Sequence, residues 1–181
     1  EVAPMSYGYG VTVTAFQLAQ AYAVIASGGI QRPISFVKVS GPVPGKRILD
    51  EKIARSIIPM METVVTQEGT ALRAAVPGYR IAGKTGTAHK AQGGGYASDA
   101  YMSLFVGMAP ASAPRVVTAV IIDNPTQGGY YGGLAAAPVF SRMMSDTLRL
   151  MNIEPDRSAE RLAEQHRFPH PSTWARPGRE G

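Results

Sequence analysis

The 181-residue chain contains no cysteine. That excludes disulfides and thiol chemistry, and it is compatible with any compartment, an oxidising one included. Charged residues are sparse at 17%. The net charge is +5, with an isoelectric point near 9.6, but the basic residues are scattered and no basic stripe with interleaved aromatics is present. A nucleic-acid surface is therefore not expected. No apolar run approaches the ~20 residues of a membrane span, and no signal peptide is visible. There are three histidines, His89, His166 and His170. The last two have helical i+4 spacing, but Pro169 and Pro171 break any helix there, so no metal site is expected. Gly8-Tyr9-Gly10 and Gly93-Gly94-Gly95 complete no phosphate-loop pattern, and no cofactor is expected.

What is present is a 45% hydrophobic chain able to build one core of ordinary size. Thr14 and Gln17 form a capping box before a helix with Leu18, Tyr22 and Ile25 on one face and Gly28-Gly29 as the stop. Residues 33–40 alternate as a strand, and residues 41–45 are turn-rich. Asp50 caps a second helix over about residues 51–66, with Ile53, Ile57, Met60, Met61 and Val64 facing inward. Strands follow over residues 80–88, 101–109 and 115–123, the last apolar on both faces and so expected in a central position. The short link at residues 111–114 predicts an antiparallel meander. Pro138 suits the first turn of a final helix, whose Val139, Phe140, Met143, Met144, Leu148 and Met151 form a stripe for the sheet. The fold class is thus mixed α/β of the α+β type, an antiparallel sheet flanked by helices. Residues 1–153 are expected to form the folded portion. From Glu154 the composition changes to four prolines, five arginines and five acids, which predicts a disordered tail over 154–181.

The chemistry concentrates in Lys84-Thr85-Gly86-Thr87, at the end of an apolar strand. An ammonium and two hydroxyls suit a carboxylate-ended ligand. Gly86 allows close approach to the backbone, and an exposed strand edge can offer an N–H to a developing oxyanion. A Lys-Thr-Gly element is one of the three motifs of penicillin-binding and serine β-lactamase sites.

The surrounding segments sharpen this. They are Ser6-Tyr7-Gly8-Tyr9-Gly10, Glu68-Gly69-Thr70-Ala71, Phe105-Val106-Gly107-Met108-Ala109-Pro110, Tyr130-Tyr131-Gly132-Gly133 and Met151-Asn152-Ile153-Glu154-Pro155-Asp156. Together, from about Pro4 to Asp156, the chain resembles the C-terminal part of the transpeptidase domain of class B penicillin-binding proteins, the septal cell-division peptidoglycan D,D-transpeptidases in particular. The resemblance implies the penicillin-binding transpeptidase fold and a serine acyl-enzyme acting on the D-Ala-D-Ala of a peptidoglycan stem peptide. It also implies binding of β-lactam antibiotics, and an anchor in the bacterial inner membrane with the domain facing the periplasm. Divisome membrane proteins, a septal glycosyltransferase among them, are the implied partners. It assigns positive potential to Lys84, carboxylate binding to Thr85 and Thr87, and an oxyanion N–H to Thr87. Tyr101, Tyr130 and Tyr131 become an aromatic wall beside the ligand. His89 stands where many relatives carry Arg or Lys, so its contact would depend on pH.

Two family motifs have no counterpart here. There is no Ser-x-Asn, and the one literal Ser-x-x-Lys, Ser35 to Lys38, falls in the expected strand, where the two side chains would point to opposite faces. No nucleophile is therefore assigned. The expectation is a piece of a longer protein whose preceding half carries both motifs, inactive alone. The loop over residues 90–99 is Gly-rich and expected to be flexible. Alternatives are a D,D-carboxypeptidase or β-lactamase of the same superfamily, or a non-catalytic penicillin-sensor or scaffold domain.

Overall fold

The computed structural model describes residues 11–92, 95–127 and 129–157. The Ser6–Gly10 motif, His166 and His170 lie outside them.

The first helix, α1 (Ala15–Ala26), starts at the expected capping box. The Thr14 side chain accepts from the Gln17 N–H, and the Gln17 side chain accepts from the Thr14 N–H at 2.9 Å. A two-residue pair follows, β1 (Ile30–Gln31) with β2 (Lys46–Arg47). Residues 33–40 are not a strand. They run as exposed irregular backbone, and Ser35 closes a local turn by donating to the Val37 carbonyl at 2.7 Å and accepting its N–H. The hydroxyl competes with a ladder there. The alternating Ile34, Phe36, Val37 and Val39 cover no sheet face and stay exposed, Phe36 stacking instead on Phe16 at 4.9 Å.

Asp50 caps α2 (Glu51–Glu62), accepting from the Lys52 and Ile53 N–H groups. The helix gives way to a 3₁₀ turn, Thr63–Val65, short of the expected end. Its buried face is Ala54 and Met61 with Ile57 beside them, whereas Ile53 and Met60 are exposed. A second 3₁₀ turn, Leu72–Ala74, leads into the sheet.

The sheet is an antiparallel meander of β3 (Ala82–Gln92), β4 (Gly95–Ala109) and β5 (Val116–Asp123), in that order. The first two strands reach much further than the sequence predicts. Residues expected to loop at 90–99 belong instead to the β3–β4 ribbon, beyond a register shift between His89 and Ala91; residues 93 and 94 are outside the described set. Among the described residues β5 is the outer strand of three, beside β4, where a central place was expected. Its apolarity on both faces reflects helices on both sides: Val116, Val120 and Ile122 pack in the core beneath the last helix, and Val117 packs in the core of α1 and α2.

The last helix, α3 (Gly132–Leu150), begins six residues before Pro138, which is interior to it. Tyr131 is its extended N-cap, and the Tyr131 carbonyl takes the Leu134 and Ala135 N–H groups at 2.8 and 2.9 Å. Phe140, Met144 and Leu148 are fully buried, while Met143 and Met151 are half exposed. Phe140 meets Phe105 edge-on at 4.7 Å, an arrangement worth about 0.5–1.5 kcal/mol beyond burial. Gly83 and Gly107, paired across the strands, make the slot: a Cβ on Gly83 would lie 2.4 Å from the Phe105 ring, and one on Gly107 would lie 2.8 Å from the Phe140 ring.

The first residues of the expected tail are docked. Asp156 accepts from the Arg80 N–H at 2.7 Å and from the Ser112 N–H and hydroxyl at 3.1 and 2.7 Å. The Tyr79 hydroxyl donates to the Ile153 carbonyl, and the Arg157 N–H to the Gly78 carbonyl. Residues 158–181 lie outside the described set. Among the described residues, no helix is long and apolar enough to cross a membrane.

Candidate functional site

The pleat sorts the Lys-Thr-Gly residues. Thr85, Thr87 and His89 alternate onto one face of β3, opposite Phe105, Ser103 and Tyr101 of β4. This is the face that α3 covers, since Phe105 packs on Phe140. Lys84 and Gly86 lie on the other pleat, opposite Val106 and Leu104. The Lys84 side chain nevertheless bends back to the strand: its ammonium donates to the Thr85 carbonyl at 2.9 Å and reaches Thr85 Oγ1 at 3.5 Å.

The start of α3 presses onto this strand. The Gly132 N–H donates to Thr87 Oγ1 at 3.1 Å. A Cβ on Gly132 would stand 2.2 Å from the Leu104 carbonyl oxygen and 2.6 Å from that of Gly86; one on Gly133 would stand 1.9 Å from the Thr70 carbonyl oxygen. Only glycine permits this approach. By contrast, a Cβ on Gly86 would meet only Leu104 side-chain atoms, at 3.3 Å and beyond. The close backbone contact observed at Gly86 is thus with Gly132. A hydroxyl that accepts from a backbone N–H keeps its own proton available, so Thr87 can still donate outward. The positive end of the α3 dipole lies at the same point. Cation, hydroxyls and dipole together suit an anionic ligand group.

An aromatic row continues from the threonines. The His89 and Tyr101 rings are 4.6 Å apart and tilted at 44°. Tyr101 stacks on Tyr130 at 4.0 Å and 13°, and Tyr130 meets Tyr131 at 4.5 Å. The row has its own support. Ser103, fully buried between Met102 and Leu104, donates its hydroxyl to the Tyr130 carbonyl. The Tyr130 and Tyr131 hydroxyls share a hydrogen bond at 3.2 Å, in which either can donate. This bond, then the neighbouring phenol's charge and a little burial, raise the Tyr131 pKa above its ordinary value. Tyr131 itself is more than half exposed, at 56%, and offers the row's open end.

The site residues expected from the sequence are therefore drawn together along β3: Lys84, Thr85, Gly86 and Thr87, with His89, Tyr101, Tyr130 and Tyr131 beside them. Sequence reasoning missed three supports: Ser103, the Gly132 N–H, and Thr70, whose hydroxyl lies 3.0 Å from that of Thr85. A lone serine between Met102 and Leu104 was the one legible signal. Ser35 and Lys38 lie in the exposed irregular segment and not on a helix. Among the described residues, no group of three His, Cys, Asp or Glu could hold a metal ion.

Residues 1–145 match the family described as the penicillin-binding protein transpeptidase domain. The chain is 50% identical over 156 residues to the peptidoglycan D,D-transpeptidase FtsI of Escherichia coli K12, covering 86% of this chain and 26% of that protein. It is 48% identical over 168 residues to the probable peptidoglycan D,D-transpeptidase PbpC of Pseudomonas aeruginosa, covering 93% and 30%. The apo structure of the TP domain from Burkholderia pseudomallei penicillin-binding protein 3 superposes with a TM-score of 0.80 at 47% identity, over 85% of this chain and 47% of that one. The chain spans between a quarter and a third of the length of these two curated relatives.

Proposed function

Since the chain belongs to the penicillin-binding protein transpeptidase domain family, we propose that it supplies the Lys-Thr-Gly half of the active site of a septal peptidoglycan D,D-transpeptidase. In this reading, a serine outside these 181 residues attacks the D-Ala-D-Ala carbonyl of a stem peptide. D-Ala leaves, and an amine of a neighbouring strand resolves the acyl-enzyme. β-Lactams enter as mimics of the dipeptide and stay attached. The protein works at the bacterial inner membrane, its catalytic domain facing the periplasm, in company with divisome membrane proteins that include a septal glycosyltransferase.

The observation that carries this reading is the alignment of Thr85 and Thr87 on one face of β3, beneath the start of α3 and beside the Tyr101–Tyr130–Tyr131 row. The two hydroxyls are spaced to hold the terminal carboxylate of the substrate. Lys84 adds positive potential and support for proton transfer. The N–H of Thr87 serves as one oxyanion donor, a contribution of ~2.7–4 kcal/mol when such donors are removed elsewhere. The tyrosines and His89 wall the ligand. Lacking a nucleophile, this half-site orients and polarises but does not acylate.

The test is acylation of the full-length protein by a β-lactam. Lys84→Ala and Thr87→Val should slow it far more than they lower the melting temperature. Thr87→Val also orphans the Gly132 N–H, at about 1 kcal/mol, so Thr87→Ser, which keeps the acceptor, is the control. Loss of acylation only in proportion to lost stability would contradict the reading.

A further inference from the structure

Thr70 belongs to the Glu68–Ala71 segment and has no part in the mechanism above. Its backbone is held on both sides. A Cβ on the preceding Gly69 would lie 2.3 Å from the Val64 carbonyl oxygen and 2.4 Å from that of Thr63. The following Ala71 is buried, its N–H bonded to the Val64 carbonyl at 2.9 Å. The Thr70 carbonyl itself abuts Gly133 of α3. The residue, however, is exposed. A pinned backbone positions the hydroxyl of this exposed residue.

Its partner is Thr85 Oγ1, 3.0 Å away. A threonine hydroxyl has two acceptor sites and one proton. Thr85 Oγ1 has the Lys84 ammonium at 3.5 Å and the Thr70 hydroxyl at 3.0 Å. If both donate, the acceptor sites of Thr85 are filled and its single proton is left for an incoming oxygen. We propose that Thr70 is a positioning residue: it donates to Thr85 and thereby commits the Thr85 proton to the ligand carboxylate. A chain of donors running from Thr70 through Thr85 to an anion is also polarised along its length. The inference rests on the transpeptidase reading and extends it to a residue outside the Lys-Thr-Gly strand.

The test compares Thr70→Val and Thr70→Ser in the full-length protein, using acylation by a penicillin and by the same penicillin with its carboxylate esterified. Thr70→Val should slow acylation by the free acid about tenfold, the scale of one charge-linked hydrogen bond, and leave the ester rate nearly unchanged. Thr70→Ser should restore the acid rate. Should Thr70→Val lose its melting transition, Thr70→Ala, which adds no apolar bulk at this exposed residue, takes its place. Equal slowing of both ligands, or no slowing of the acid, overturns the positioning role while leaving the transpeptidase reading intact. A wild-type protein that no β-lactam acylates removes that reading itself.

Discussion

The N–H of Gly132 donates to Oγ1 of Thr87 at 3.1 Å, so the first residue of α3 is fastened to the strand that carries the cation and hydroxyls. The contact depends on a missing side chain, because a Cβ on Gly132 would fall 2.2 Å from a backbone oxygen of β4. Gly132→Ala is therefore expected to lift the helix start, lower β-lactam acylation of the full-length protein at least tenfold, and destabilise the fold by about 1–3 kcal/mol, as overpacking does. Gly86→Ala, although inside the motif, meets only the flexible Leu104 side chain and should cost less stability. Thermal melts of the two variants check the order; the reverse order would contradict this account of the contact.

Asp156 joins the segment after α3 to the strand's approach. Its carboxylate gathers the N–H of Arg80 and both donors of Ser112. Arg80 is itself paired through two nitrogens with Glu62, at 2.9 and 2.7 Å, and this hydrogen bonding is the main reason that its pKa is raised. Asp156→Ala should lower unfolding free energy by about 2 kcal/mol, since it leaves two backbone donors without their charged acceptor. Asp156→Asn should lose less. Urea unfolding measures both. A loss under about 0.5 kcal/mol for the alanine variant, the range of an ordinary surface change, would show that the C-terminal segment docks without need of this contact.

Much of this architecture was legible from local chemistry. Thr14 with Gln17, and Asp50, announced two helix starts because a capping side chain acts within three residues. The Lys-Thr-Gly strand and its two antiparallel neighbours were legible from alternation and a short link. What could not be read locally was set by distant neighbours. Residues 33–40 alternate like a strand but find no partner, and Ser35 turns the backbone instead. Gly132 and Gly133 look like loop residues, yet they open a 19-residue helix, because only glycine fits against Gly86, Leu104 and Thr70. The two-sided apolarity of β5 reports helices above and below and says nothing of sheet order. Within the site, Thr70 was invisible as a neighbour of Thr85 because 15 residues separate them and only the folded chain brings their hydroxyls together.

The tyrosine row makes a prediction about pH. The neutral Tyr131 phenol can donate in the bond it shares with Tyr130, and a charged Tyr130 would repel its phenolate, so its pKa lies above the ordinary value. A raised folded pKa means that the linked stabilisation is present below the unfolded value, about 10, and is lost as pH rises through the folded one. Tyr130→Phe removes the two leading causes together. In an alkaline titration followed by NMR of ring-labelled tyrosine, the Tyr131 resonance should titrate at lower pH in Tyr130→Phe than in the wild type. An unchanged midpoint would mean that the two phenols do not interact in solution.

The central claim is that these residues form the anion-holding half of an acylation site whose serine lies elsewhere in the protein. The direct measurement is fluorescent-penicillin labelling of the 181-residue chain and of the full-length protein side by side, with the adduct located by mass spectrometry. The account predicts no label on the chain alone. It predicts label on a serine outside these 181 residues in the full-length protein, diminished at least tenfold by Lys84→Ala. Label on the isolated chain that disappears in Ser35→Ala, or labelling of the full-length protein indifferent to Lys84, would contradict it.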